Sequence, residues 1–182
     1  MAQGIDEKFP PKNRRLGESL SAVAPLPEAL PLSPESGVIE ARPVEPKEIA
    51  WLEEGLRQVG FFSELGRAQL AEVLPYMLMI RYAKGSVVCV EGEAGDALYL
   101  IFKGAVVVSK RGRPDPVARL KDGDFFGEMA LLFGEPRSAT VSTETETEVF
   151  CLAAEDFKRF VGRTPDMTEA LRALAEARRS AQ

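Results

Sequence analysis

The residues best suited to chemistry lie together in one stretch, 124–141, which reads DFFGEMALLFGEPRSATV. Gly127 lies near its start, and a glycine lets backbone N–H groups come close to a ligand. The N–H groups that begin a short helix, as expected after this glycine, attract an anion. Arg137 lies at the far end, and its guanidinium is a planar fork of donors suited to phosphate oxygens. The stretch therefore predicts a phosphate site.

An acidic residue, Glu128, stands inside this predicted site. A carboxylate beside a phosphate would be repulsive, so Glu128 requires a different role. Accepting hydrogen bonds from a sugar hydroxyl suits it. A phosphate and a sugar diol bound within one short segment indicate a small nucleotide as the ligand.

From Phe126 to Thr140 the chain resembles the phosphate-binding cassette of the cyclic nucleotide-binding domain family. The cassette pattern is F-G-E-L/M-A-L, a short spacer, then P-R-S/A/T-A-T/S, and every position of it is present. The family includes regulatory subunits of cAMP-dependent protein kinase, catabolite-activator-type regulators and cytoplasmic domains of cyclic nucleotide-gated channels. A lone Gly-Glu or Pro-Arg pair would mean little, whereas the complete ordered run is highly specific.

The resemblance implies reversible binding of a cyclic purine mononucleotide, with no covalent chemistry and no metal. Arg137 would pair with the exocyclic phosphate oxygens and Glu128 with the ribose 2′-hydroxyl. Taken singly, these residues would be a surface salt-bridge partner and a helix-start charge, but the matching context between them favours the ligand roles. The expected binding residues in the cassette are Phe126, Gly127, Glu128, Met129, Ala130, Arg137, Ser138 and Ala139.

Base preference depends in this family on the residue after the arginine. Relatives that select cGMP often have threonine there, and kinase-type cAMP sites usually have alanine. Ser138 has the hydroxyl without the methyl group. We expect cAMP as the ligand, with cGMP as the alternative.

Short strands separated by turn glycines follow from Met77 onward. They are MLMIRYA, SVVCVE, ALYLIFK, AVVVSKR, PVARL and TEVFCLA. Many short strands at this spacing predict a β-sandwich or barrel. The predicted fold class is mainly β with flanking helices. The resemblance implies an eight-stranded antiparallel jelly-roll barrel with N-terminal helices and a C-terminal lid helix.

Helical patterns flank the strands within a predicted domain of residues 47–182. A three-turn amphipathic helix is expected from Glu48, and a second short helix is expected over 67–74. Trp51 lies off the apolar stripe, where it could pack on the barrel or meet a partner. The last helix, 166–179, fits the family's lid, in which Arg178 would reach the base. A solvated helix-end charge is the alternative for Arg178.

The first 46 residues contain eight of the thirteen prolines and little apolar periodicity, so they predict a disordered, proline-rich arm. Within it, Arg14 and Arg15 precede a glycine and resemble the pseudosubstrate of kinase regulatory subunits. Glu18 departs from that pattern, which requires a hydrophobic residue. An accidental basic dipeptide in a flexible tail is the alternative.

Composition excludes several classes of protein. The net charge of −5 and the lack of a basic cluster argue against nucleic-acid partners and against anionic membranes. The chain has no histidine, which removes the commonest metal ligand and general base. Cys89 and Cys151 are expected as buried apolar side chains. Without a signal peptide or an apolar run of ~20 residues, a cytoplasmic protein is expected.

Three functions fit these observations. The first is a stand-alone cyclic nucleotide sensor acting on an unidentified protein effector. The second is a kinase-type regulatory subunit that uses the N-terminal arm, and the third is a degenerate domain used only for protein contacts. An enzyme is not expected. A transcription factor is disfavoured because the chain ends where a helix-turn-helix domain would begin, and a channel is excluded by the lack of spans.

Overall fold

The computed structural model describes residues 37–55, 72–162 and 165–180. The strands in this part of the chain are β1 Val38–Pro43, β2 Met77–Tyr82, β3 Val87–Cys89, β4 Ala97–Lys103, β5 Ala105–Ser109, β6 Ala118–Lys121, β7 Phe125–Phe126, β8 Thr140–Thr143 and β9 Thr147–Ala153. The α-helices are α1 Pro46–Gly55, α2 Glu128–Phe133, α3 Ala154–Val161 and α4 Pro165–Ser180. A single 3-10 turn, Leu74–Tyr76, leads into β2.

The strands form two antiparallel sheets. One has five strands in the order β1-β2-β9-β4-β7, and the other has four in the order β3-β8-β5-β6. The mainly β class with flanking helices is therefore confirmed.

The predicted closed barrel of eight strands is not what the described residues form, because their nine strands pair into two separate sheets. Two of the edge strands, β7 and β3, have only two and three residues, so there is little backbone to carry the pairing further.

The central strands of the five-stranded sheet, β2, β9 and β4, are buried on both faces. Along β4, Leu98 and Leu100 face a cluster shared with the helices, whereas Tyr99 and Ile101 face a cluster between the two sheets. The central strands therefore read as continuous apolar runs rather than as an alternating pattern. Burial on both faces fixes the register, because a slip of one residue would exchange the two sets of side chains.

The N-terminal part of the described chain differs from the prediction. Residues 38–43 form β1, which pairs with β2 at the edge of the five-stranded sheet, so the ordered domain begins before residue 47. Pro43 suggested disorder, but an edge strand tolerates proline at its last residue because no ladder donor is needed there. The predicted disorder of residues 1–36, including Arg14 and Arg15, lies outside the described residues.

The first helix covers part of the predicted span. It runs over Pro46–Gly55, and its expected continuation to residue 60 lies outside the described residues, as does most of the predicted helix 67–74. Trp51 packs on the sheet, with its ring 5.0 Å from that of Phe102 and 5.8 Å from that of Phe150, centroid to centroid. No helix in the described ranges has the length and apolar character needed to cross a membrane.

Candidate functional site

The helix α2 begins after a glycine that no other residue could easily replace. Gly127 has a φ of 91°, in the left-handed region that favours glycine. A Cβ at this position would lie 2.5 Å from Nη1 of Arg137 and 2.8 Å from the carbonyl oxygen of Ala97. Both distances are too short for a carbon atom. The absent side chain therefore makes the room in which the guanidinium lies.

Arg137 is buried, with 5% of its surface exposed. Its Nη1 donates to the carbonyl oxygen of Gly127 at 3.0 Å, and its Nη2 donates to that of Ala97 at 2.9 Å. The Nη2 group also donates to Oδ1 of Asp96 at 2.7 Å. The guanidinium carbon lies 5.8 Å from the ring centroid of Tyr99. Because all these partners are held by β4 and the start of α2, the cation has a fixed position.

The loop between β3 and β4 holds the backbone of the arginine. The N–H of Arg137 donates to the carbonyl oxygen of Glu93 at 2.7 Å, and the N–H of Gly92 donates to the carbonyl oxygen of Arg137 at 2.9 Å. Gly95 lies so close to α2 that a Cβ there would collide with the side chain of Ala130. This loop therefore joins the two ends of the cassette.

Asp96 is a site residue that sequence reasoning missed. Its side chain is 37% exposed and forms an ion pair with the buried guanidinium of Arg137. The two residues are 41 positions apart in the chain, and only the fold brings them together. On the sequence alone, only the glycines between strands are interpreted, Gly95 among them, and they are predicted as turn residues. The acidic residue directly after Gly95 is the signal that could have indicated more.

A cavity of about 180 Å³ opens beside these residues. Its lining includes Gly127, Glu128, Arg137 and Ser138 of the cassette. The apolar side chains of Val108, Val117, Leu120 and Val141 also line it. A lining that combines charged and apolar groups suits a ligand with an anionic group and a flat, weakly polar group.

Glu128 is the first residue of α2 and is 2% exposed. It lines the cavity together with Arg137. The structure therefore brings to one cavity the two residues that the sequence singled out. A buried carboxylate requires hydrogen-bonding partners, and a ligand hydroxyl would add one.

The other predicted cassette residues also gather at this cavity. Met129, Ala130, Ser138 and Ala139 line it, and the Ser138 hydroxyl donates to Sδ of Met129 at 3.6 Å. Phe126 lines the cavity as well, and its ring stacks on the ring of Tyr99 with centroids 5.0 Å apart. All eight predicted cassette residues therefore lie at one place.

Arg178, the ninth predicted residue, belongs to helix α4. Its side chain lies outside the described residues, so its contact with a base stays a prediction.

The two cysteines are free and buried, as expected. Cys89 lines the cavity, and burial raises the pKa of its thiol to about 12. Burial raises the pKa of the Cys151 thiol as well. Both side chains are therefore protonated near neutral pH and act as small apolar groups.

Comparison with known proteins identifies the family. The family model of the cyclic nucleotide-binding domain matches residues 79–164. The chain therefore carries a member of the cyclic nucleotide-binding domain family over these residues. The match contains the whole cassette and all of the cavity-lining residues named above.

Two curated relatives illustrate the range of proteins in which this domain occurs. A cyclic nucleotide-gated potassium channel of Rhizobium etli is 40% identical over 121 residues, which cover 66% of this chain and 33% of the relative. A cAMP-dependent protein kinase regulatory subunit of Yarrowia lipolytica is 42% identical over 114 residues, which cover 61% of this chain and 30% of the relative. The chain spans about a third of the length of these relatives.

Solved structures show the same fold. The second cyclic nucleotide-binding domain of a PKA regulatory subunit, with Sp-2Cl-cAMPS bound, superimposes with a TM-score of 0.64 at 27% identity, covering 74% of this chain and 89% of that chain. The regulatory domain of Toxoplasma gondii PKA with cAMP gives a TM-score of 0.64 at 27% identity, covering 72% and 51%. This chain therefore shares its fold with these cyclic nucleotide-binding domains.

Proposed function

We propose that this protein is a cyclic nucleotide sensor that binds cAMP reversibly and passes the signal to a separate protein effector. The observation that carries the proposal is the buried guanidinium of Arg137, which is held beside the start of α2 and lines a cavity. A cation that is taken out of water and fixed in a cavity suits the recognition of an anionic ligand. No bond of the ligand is made or broken.

Arg137 has N–H donors to offer a ligand beyond those that it uses within the described residues. A guanidinium has five N–H donors, and the hydrogen bonds to described residues use three of them. One N–H on Nη1 and the Nε N–H therefore serve the exocyclic phosphate oxygens. The backbone N–H groups at the start of α2 and at Ser138 and Ala139 add further donors. Asp96 maintains the orientation of the cation while the phosphate binds.

Glu128 accepts the hydrogen bond from the ribose 2′-hydroxyl. A 2′-deoxy ligand would leave this buried carboxylate without that partner, so it binds more weakly. The base lies against the apolar side chains that line the cavity. The preference for cAMP over cGMP rests on the family pattern after the arginine, because Ser138 has a hydroxyl but lacks the methyl group of threonine.

The experiment that tests this function is calorimetric titration with cAMP, cGMP, AMP and 2′-deoxy-cAMP. We expect cAMP to bind most tightly and Arg137→Ala to weaken it by roughly 2–5 kcal/mol, because the phosphate loses its charged partner. At about 1.4 kcal/mol per decade, this change corresponds to tens-fold to thousands-fold in affinity. Arg119→Ala is the matched control, since Arg119 is 65% exposed and pairs with Glu144 on the surface.

Two outcomes contradict the proposal. Unchanged cAMP affinity of Arg137→Ala would show that the site is wrong. Competition by cGMP at concentrations equal to or below those of cAMP would overturn the stated base preference while leaving the site in place.

A further inference from the structure

The loop between β3 and β4 begins with a tight turn, residues 90–93. The N–H of Glu93 donates to the carbonyl oxygen of Val90 at 3.2 Å, and Gly92 has a φ of 90°. A positive φ at the third residue alone fits a type II turn. The N–H of Gly92 and the carbonyl oxygen of Glu93 bond the two backbone polar groups of Arg137. This turn therefore holds the backbone of the arginine.

Glu91, the second residue of the turn, forms hydrogen bonds in two directions. Its N–H donates to Oγ1 of Thr140 at 3.0 Å, which fixes it against the start of β8. Its Oε2 accepts the N–H of Arg111 at 2.6 Å. The carboxylate thus extends away from the turn and bonds a segment that lies 20 positions further along the chain.

Arg111 lies at the tip of the hairpin formed by β5 and β6. A second tight turn, residues 110–113, is closed there by the N–H of Arg113, which donates to the carbonyl oxygen of Lys110 at 3.1 Å. Val108 of β5 and Leu120 of β6 line the cavity. The segment that Glu91 bonds is therefore the tip of the hairpin that supplies apolar side chains to the cavity.

The bond from Arg111 to Glu91 is stronger than an ordinary turn contact. Its acceptor is a carboxylate, and a donor–acceptor distance of 2.6 Å is short for an N–H group. The donor is a backbone N–H, so the bond fixes the backbone of the tip whatever the side chain of Arg111 contacts. Because the bond is exposed to solvent, its contribution is limited to a few-fold.

We infer that Glu91 is a positioning residue, which joins the β5–β6 hairpin to the turn that holds Arg137 and so couples the apolar side of the cavity to the buried cation. It acts through the backbone of Arg111 and through Gly92 and Glu93, and not by contact with the ligand. Its effect on nucleotide affinity rests on the proposed function. Its effect on the hairpin stands on the hydrogen bonds alone.

The coupling favours a ligand that has both a phosphate and a base. Such a ligand contacts Arg137 and the hairpin at once, and a hairpin already held in place lowers the ordering cost of the second contact. A ligand that lacks the base gains nothing from the hairpin. The role of Glu91 therefore appears as a difference between two ligands, which a general loss of stability would not produce.

Amide hydrogen exchange of the protein without nucleotide tests the effect on the hairpin. We expect Glu91→Ala to exchange about three- to tenfold faster over residues 105–121, because the tip loses its charged acceptor. Glu91→Gln keeps an oxygen acceptor, so we expect it to stay within about twofold of wild type. Peptides from β9 should be unchanged in both variants. Equal exchange of Glu91→Ala and wild type over the hairpin would overturn the inference.

Affinity for two ligands tests the coupling. Calorimetry gives the affinity for cAMP, and competition against cAMP gives that for ribose 3′,5′-cyclic phosphate, which has no base. We expect Glu91→Ala to weaken cAMP binding about three- to tenfold and that of the base-free ligand less than about twofold. Equal weakening of both ligands would show that Glu91 only supports the fold.

Glu93→Ala is the matched control for this comparison. It removes an exposed carboxylate from the same turn and changes the net charge equally, but it keeps the backbone carbonyl oxygen that Arg137 uses. We expect it to leave the affinity for both ligands within about twofold of wild type. A loss of cAMP affinity equal to that of Glu91→Ala would assign the effect to charge and overturn the coupling.

The failure of the coupling and that of the proposed function can be told apart. If the wild-type protein binds no cyclic nucleotide, the proposed function fails, and the exchange experiment still decides whether Glu91 holds the hairpin. If the wild type binds cAMP and Glu91→Ala binds it equally well, the coupling fails while the proposed function stands.

Discussion

Arg137 shows how a single charge can be buried without destabilising the fold. Moving a cation out of water is costly unless its donors are paired. Two backbone carbonyl oxygens and the carboxylate of Asp96 supply that pairing. The carbonyl oxygens are fixed by secondary structure, so the guanidinium is oriented before any ligand arrives. Preorganisation of this kind reduces the ordering cost of binding.

Gly127 is the residue on which this arrangement depends, and Gly127→Ala tests it. We expect lost cAMP affinity, at least tenfold, because the new Cβ must displace Nη1 of Arg137 and the carbonyl oxygen of Ala97. Gly123→Ala is a matched control, because Gly123 has a φ of 86° but nothing within 4 Å of a Cβ. The control measures backbone strain alone, of about 1–2 kcal/mol in the free energy of unfolding. Equal loss of affinity in both variants would show that crowding at Arg137 is unimportant.

At the scale of elements, β1 and α1 are joined by a buried ion pair. Nη2 and Nη1 of Arg42 lie 2.6 Å and 2.9 Å from the two carboxylate oxygens of Glu48, which is 1% exposed. The N–H of Glu45 donates to the same carboxylate at 2.7 Å and caps the start of α1. Burial by itself would raise the pKa of the Glu48 carboxyl, but the hydrogen bonds from Arg42 and Glu45 lower it below its ordinary value of 4.5.

The contact of Glu48 with Arg42 predicts that acid weakens the attachment of the edge strand β1 to α1. Because the folded pKa lies below 4.5, the charged pair stabilises the fold at neutral pH, and this contribution is lost as the pH falls from about 5 through the folded pKa. We expect Arg42→Met to lower the free energy of unfolding by ~3 kcal/mol at pH 7, since it leaves a buried carboxylate unpaired. The difference from wild type should shrink below pH 4.5.

Chemical denaturation of both proteins at several pH values measures this effect. Lys47→Ala provides the control, because Lys47 pairs with Glu45 on the surface and its loss should change little. A difference between Arg42→Met and wild type that stayed constant down to pH 3 would contradict the role given to Glu48.

At the scale of the whole molecule, the site belongs to both parts of the core. Leu131 of α2 packs in the cluster that the helices share with the five-stranded sheet, whereas Phe126 and Ala139 pack between the sheets. Asp96 adds a direct connection, because its carboxylate pairs with Arg137 while its carbonyl oxygen accepts the N–H of Ala154, the first residue of α3. Asp96 therefore links the guanidinium of Arg137 to the start of the C-terminal helices.

This connection predicts a response of the two last helices to nucleotide. We expect saturating cAMP to slow amide exchange over residues 154–180, because a ligand that binds the docked arrangement more tightly increases its population. Mass spectrometry of the exchanged peptides measures the change. Arg137→Ala at the same cAMP concentration provides the control, in which the slowing should disappear. Equal protection with and without cAMP in the wild type would contradict signalling through these helices.

Sequence reasoning succeeded where neighbours in the chain encode a local arrangement. The cassette pattern predicted that Gly127, Glu128, Arg137 and Ser138 lie together, and they line one cavity, because fifteen consecutive residues, 126–140, carry them. The strands β4 and β9 were predicted with their observed bounds, since each is a long apolar run ended by a change of character. Strand β1 was missed because its proline and charges resemble a flexible arm until its pairing with β2 is known.

What the sequence by itself determined is which cassette residues lie together and the class of the fold, because local patterns specify helix starts, turns and strand faces. Only the tertiary structure decided which distant groups pair with the cassette. Asp96 pairs with Arg137 from 41 positions away, and Arg179 of α4 pairs with Glu135. No local pattern specifies such pairs, since each contact forms only when packing of the core has brought two separate elements within the range of a hydrogen bond.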